Sequence, residues 1–190
     1  VIGATGAICN DITIQGARAA VSGSTSAIPA AILTVSGAFG LDVYGHWNGY
    51  GTFTAGSGTV SMLGSSSQNI ICSTSQTFNR LVLNCTGGVI FSPGTHRIAT
   101  NLDFISGIAD LDGNLQFLNG ATATNASNAS YVDGAIVKFG NQAFTFPIGT
   151  ASLYRPISIS APALTTDNFT AQYFNVDASP PFTHSLTDVS

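Results

Sequence analysis

From Trp47 to Leu118 the chain repeats one short pattern. Three to five apolar or β-branched residues are followed by a stop of Gly, Asn, Ser, Asp or Pro. Short apolar or β-branched runs bounded by such residues are expected of strands. The pattern predicts strands near 41–44, 51–54, 59–63, 68–72, 80–84, 89–92, 96–100, 102–105, 108–111 and 114–118. Corners fall at Thr86-Gly87-Gly88, Ser92-Pro93-Gly94 and Asp112-Gly113-Asn114, residues that accept turn geometry. Strands this short cannot each bury a face alone, so they must stack on one another.

Two all-β architectures suit that spacing. A sandwich needs hairpins of longer strands, and the Asn-Gly or Asp-Gly signals of tight hairpins are scarce here. A parallel β-solenoid, or β-helix, needs short strands separated by bends, coil over coil. The pattern favours the solenoid over residues 36–120, with Asn79, Asn84, Asn101, Asn114 and Asn119 placed to satisfy bent backbone at stacked corners. Residues 1–35 are weakly patterned, with strands expected at 11–15 and 30–35, and form an N-terminal strand segment that could dock on a neighbour. Residues 121–130, small and polar, read as a loop. From 131 to 190 the strands become longer and more aromatic, which predicts a small β-sandwich-like C-terminal region. Pro147, Pro156 and Pro162 favour edge positions there.

Composition sharpens this picture. Charged residues make up 7% of the 190, all nine acids are Asp, and the basic residues are four Arg and Lys138. Glu, Lys and Arg are the usual builders of exposed helix faces, so their scarcity beside abundant Gly, Ser, Thr and Asn points to an all-β chain. A formal net charge of -4 excludes the basic footprint of a nucleic-acid binder. No apolar run approaches the roughly twenty residues of a membrane helix. A surface of hydroxyls and amides repels its neighbours weakly, which favours a homo-oligomer, a polymer, or packing against neighbouring domains of a longer chain. The start at Val1 and the stop at Ser190 fit an excised or processed piece.

Candidate chemistry is sparse. Cys9, Cys72 and Cys85 allow one bridge in any of three pairings, with one thiol left over. Cys72 and Cys85 end successive strand runs, so a bridge between them would tie adjacent coils; three buried thiols are the alternative. Asp110-Leu111-Asp112-Gly113-Asn114, with Asp103 a run earlier, begins like a calcium loop but lacks the distal Glu of the full pattern, and a tight turn explains it as well. His46, His96 and His184 are too far apart for a zinc pattern. Trp47, flanked by Tyr44 and Tyr50, is the candidate carbohydrate contact. Thr52 and Thr54 show the Thr-x-Thr rhythm of water-ordering solenoids only once. No nucleophile motif occurs, and an acid pair for glycoside cleavage would have to come from Asp110 and Asp112. No metal or cofactor is called for, and the chain reads as non-enzymatic.

Several of these runs carry a resemblance. Residues 51–60, 64–70, 77–84 and 88–89, followed by 130–134, 146–149 and 154–157, are similar in order and spacing to a stretch recurrent in large secreted surface proteins of Bacteroidetes. The resemblance covers roughly residues 35–175. It implies export through the type IX pathway, an extracellular or cell-surface location, and a role in adhesins, surface layers or filaments; that family has no shared catalytic residues to carry over. The expected function is therefore structural or interactive, by self-assembly and cohesion. The runner-up is a carbohydrate-binding adhesin module, and a polysaccharide-cleaving β-helix enzyme stands behind both.

Overall fold

The computed structural model describes residues 7–18, 27–73 and 75–175, and every regular element among them is a strand. No helix there is long and apolar enough to cross a membrane. The chain winds as a parallel β-solenoid of about five turns, each turn laying one strand on each of three faces. The first coil is β1 (Ala7–Cys9), β2 (Ile12–Ile14) and β3 (Ile32–Thr34). On it lie β4 (Gly40–Val43), β5 (Trp47–Gly49) and β6 (Thr52–Thr54), each parallel to its predecessor.

Next come β7 (Thr59–Gly64) and β8 (Gln68–Cys72). The long strand β9 (Ser75–Cys85) then turns a corner without a break, so its first half lies on the third face and its second half pairs β7 on the first. β10 (Val89–Phe91) and another corner-turning strand, β11 (Thr95–Ser106), repeat the plan. β12 (Ala109–Leu111), β13 (Asn114–Phe117), β14 (Thr122–Thr124), β15 (Val132–Asp133) and β16 (Ile136–Phe139) complete the stack.

Burial alternates along the strands and gives three inward columns. Leu41, Val60, Leu81, Leu102 and Ala123 line the first face in register. From Val60 onward they recur every 21 residues. Trp47, Ile70, Phe91 and Leu111 line the second, and Phe78, Ile98, Phe117 and Lys138 the third. Trp47, Phe53 and Phe78 meet edge-on or tilted, with ring centroids 4.7–5.6 Å apart. Polar partners of the same parity form outward ladders: Asn101 bonds the Thr122 hydroxyl at 3.0 Å, and Thr124 bonds Asp103 at 2.8 Å.

Three expectations about organisation change. The N-terminal strand segment is not a free docking strand, because β1, β2 and β3 form the first coil of the same solenoid. The stretch 121–130 contains β14, which continues the first face on β11. The solenoid also runs past 120 to β16, since β15 and β16 pair in register with β12 and β13. The C-terminal region therefore begins near 140. It holds β17 (Phe144–Phe146) with β20 (Ile157–Ile159), β18 (Gly149–Thr150) with β19 (Leu153–Tyr154), and β21 (Asn168–Ala171), all antiparallel. Buried Phe144, Phe146 and Ile148 close the core at this end, Phe144 lying 5.1 Å from Phe117. Residues 176–190, part of the predicted C-terminal region, lie outside the described residues.

Candidate functional site

The proposed aromatic platform does not form. Trp47 heads β5 with inward parity and is 0% exposed. Its indole N–H donates to the Gln76 side-chain oxygen at 2.6 Å, so neither its faces nor its polar edge is free for a sugar. Tyr44 and Tyr50 are exposed, at 50% and 44%, but they sit at the corners before and after β5, at opposite ends of that strand. Gly49 is also inward, and a Cβ there would displace the Gln76 amide that holds the indole.

The Cys72–Cys85 bridge is absent: all three cysteines are free thiols. Cys72 closes β8 on the second face, whereas Cys85 ends β9 on the first and points its sulfur at the Ser66 carbonyl, 2.9 Å away. Burial pushes all three thiols above their ordinary pKa. Cys72 and Cys85 are consequently expected to resist a maleimide in the native protein and to react on unfolding. Oxidised and reduced samples should run alike on a denaturing gel; a shift on reduction would contradict the assignment.

Among the described residues, Cys72 and His96 make an ionisable pair that could imitate a nucleophile and its base. Their nearest approach is 3.8 Å, from Sγ to Nδ1. The other ring nitrogen, Nε2, lies 2.9 Å from the Ser92 carbonyl, and a carbonyl can only accept, so Nε2 carries the proton and Nδ1 is bare. Desolvation raises the thiol and lowers the imidazole. Both shifts favour the neutral pair, the reverse of an activated thiolate–imidazolium. Both side chains are buried in the core, so the pair packs a corner.

This pair has a consequence for stability. The folded-state pKa of His96 lies below its unfolded value of 6.5, so on acidification the unfolded chain takes up a proton that the folded chain refuses. Stability is therefore full above about pH 6.5 and falls as pH drops below it. The melting temperature of the wild type should decline between neutral and mildly acidic pH. His96→Leu, which continues the column of Leu115 and Ile136, should flatten that decline; an unchanged slope would contradict this account.

The acids do not converge as the calcium pattern requires. Asp103 stands on the outer side of the first face, engaged by Thr124 and Asn125, whereas Asp110 belongs to β12 on the second. Asp112 lies in the turn after β12, where its amide bonds the Phe91 carbonyl at 3.0 Å. Asp110 instead sits in register with Asp133 on the next strand. Those two border an open groove of about 360 Å³ with Ser67, Thr86, Gly87 and Gly88, and the Thr150 hydroxyl donates to Asp133 at 2.8 Å. No aromatic ring lines the groove. Among the described residues no group of three or more His, Cys, Asp or Glu is placed to hold a metal. His46 accepts the Asn69 amide at 3.0 Å, and His184 lies outside the described residues.

Besides His96, the buried polar residues among those described are Gln68, Gln76, Ser130 and Lys138. Gln76 shares the inward parity of Phe78, and Lys138 that of Ile136, so counting by twos finds both. Lys138 is 1% exposed. Its ammonium donates to the Leu118 and Phe139 carbonyls at 2.8 and 2.9 Å, and lies 5.3 Å from the Phe144 ring centroid. Burial lowers its pKa. It places a hydrogen-bonded polar group in the third inward column, which is otherwise apolar from Phe78 to Phe117.

The ends of the column differ from its sides. At one end β1, β2 and β3 each have a single strand partner among the described residues, and Ile8 and Ile32 beside them are exposed. At the other, β21 pairs only β16 among the described residues. Comparison with family models, with curated proteins and with solved structures returned no match.

Proposed function

We propose that this chain is a cohesive structural module of a bacterial extracellular fibre, filament or adhesin, acting by self-assembly. The carrying observation is that strands at both ends of the column, β1–β3 at one and β21 at the other, have a single strand partner each among the described residues, on a column with polar, nearly uncharged sides. Unpaired edges recruit strands. The side ladders already bond to one another, as between Asn101 and Thr122, and so compete poorly for partners. A small net charge offers little repulsion between copies. Resemblance to Bacteroidetes surface proteins supports the same reading and a place outside the cell.

Electron microscopy of the concentrated protein tests it. Linear or paired particles are expected; isolated single particles at every concentration would overturn it. Glycan recognition is the second reading, supported by exposed Tyr44 and Tyr50. It requires polysaccharide capture that is lost in the Tyr44→Ala and Tyr50→Ala variants.

A further inference from the structure

We propose that the edge of β21 facing away from β16, unpaired among the described residues, is a self-complementary dimer interface, at which two copies pair their β21 strands antiparallel about a two-fold axis through Thr170. The inference rests on the cohesive reading and gives it a site, a register and a symmetry.

The phase of the strand follows from one hydrogen bond. β16 and β21 are antiparallel, with Ile136 opposite Ala171, Val137 opposite Thr170, Lys138 opposite Phe169 and Phe139 opposite Asn168. The next pair along is joined from the Gly140 amide to the Asp167 carbonyl at 2.9 Å. In an antiparallel ladder, hydrogen-bonded and non-bonded pairs alternate. Asp167, Phe169 and Ala171 therefore direct their backbone groups at β16, and Asn168 and Thr170 direct theirs away from it. The outward groups have no partner strand among the described residues.

The side chains sort by the same alternation. Phe169 and Ala171 stand opposite buried Lys138 and Ile136, so they lie on the core side. Phe169 extends the column of Phe78, Ile98, Phe117 and Lys138 and is 40% exposed, with no further strand over it among the described residues. Asn168 and Thr170 lie on the outer side.

A second copy fits this edge better than an unrelated strand, for three reasons. Antiparallel pairing about Thr170 sets Thr170 against its own copy and Asn168 against Gln172, so the outward amides and carbonyls of both strands bond reciprocally. The same register brings Phe169 against Ala171 of the other copy on the core side. That is a non-bonded pair, where side chains approach most closely, and it matches the large residue to the small one twice. Residues 168–175 carry no charge, and Asp167 falls opposite Tyr173, so no acid meets an acid across the axis. The edge also lacks the charges, prolines and bulges that usually protect an exposed strand. Exposed Leu164 and Phe174 near its two ends add apolar area. The contact is smaller than a standard interface, so the dimer forms reversibly as concentration rises.

Thr170→Pro is the decisive variant. Proline removes an amide that points away from β16, leaving the β16 ladder whole. Because Thr170 pairs with its own copy, the change removes a bond from each strand. Thr170→Lys is the second variant: it keeps every backbone group and places two like charges at the axis. Sedimentation velocity on the full chain across a wide dilution series, with circular dichroism to verify folding, reads the outcome. The wild type should rise from 19.4 kDa toward twice that mass, and each variant should weaken association about tenfold or more. A dimer that persists unchanged in the folded variants would overturn this edge and register while leaving self-association standing. A wild type that stays monomeric throughout would overturn both this interface and the cohesive reading.

Discussion

Trp47→Ala should lower the unfolding free energy by about 3–5 kcal/mol. The indole fills the core against Phe53 and Phe78, so its removal leaves a cavity lined by two aromatic rings. It also orphans the Gln76 oxygen, which accepts the indole N–H at 2.6 Å inside that core, and an unpaired buried acceptor adds its own penalty. Folded domains have only about 5–15 kcal/mol to lose, so a large part of the native margin should go. Urea denaturation reads it as a lower midpoint with an unchanged slope. Trp47 is also the only tryptophan, so the wild type should emit as a buried indole and resist aqueous quenchers. Easy quenching by iodide would return Trp47 to the surface and revive the sugar-platform reading.

Gly107→Ala should cost about 2–5 kcal/mol for a different reason. Gly107 turns the corner between β11 and β12 at φ +86°, a left-handed conformation that side chains resist. A Cβ there would also run into the Cys85 carbonyl oxygen of the coil below. That oxygen is fixed in the backbone, so the corner itself must shift. Gly40→Ala is the control. A Cβ at Gly40 meets nothing within 4 Å, and the lost freedom of the unfolded chain should leave stability unchanged or raise it by about 0.4–1 kcal/mol. Equal losses at the two positions would show that the corners are not packed coil on coil.

The column was legible because its signal is periodic. Val60, Leu81, Leu102 and Ala123 recur at one interval, and only stacked coils turn such an interval into a continuous core. Composition misleads where phase does not. Thr122–Thr124 looked like loop because its residues are small and polar, yet it falls in step with Asn101–Asp103 and pairs with it. The first coil was hidden because β2 and β3 are separated by 17 residues that interrupt the rhythm. Trp47 was grouped with Tyr44 and Tyr50 by nearness along the chain, although only Trp47 lies within β5 and the two tyrosines occupy corners. Cys72 and Cys85 both end strands, but those strands belong to different faces. That separation is set by where β9 bends, which no local residue pattern announces. The edge of β21, unpaired among the described residues, is equally out of reach, because an edge is defined by the partners a strand lacks.

Cohesion between copies is the central proposal, and static light scattering on the 190-residue chain measures it most directly. The second virial coefficient should be negative at neutral pH and change little as salt is raised, because the attraction comes from strand edges and apolar ends and charge plays a small part. A positive coefficient at all salt concentrations, the mark of particles that repel one another, would contradict it.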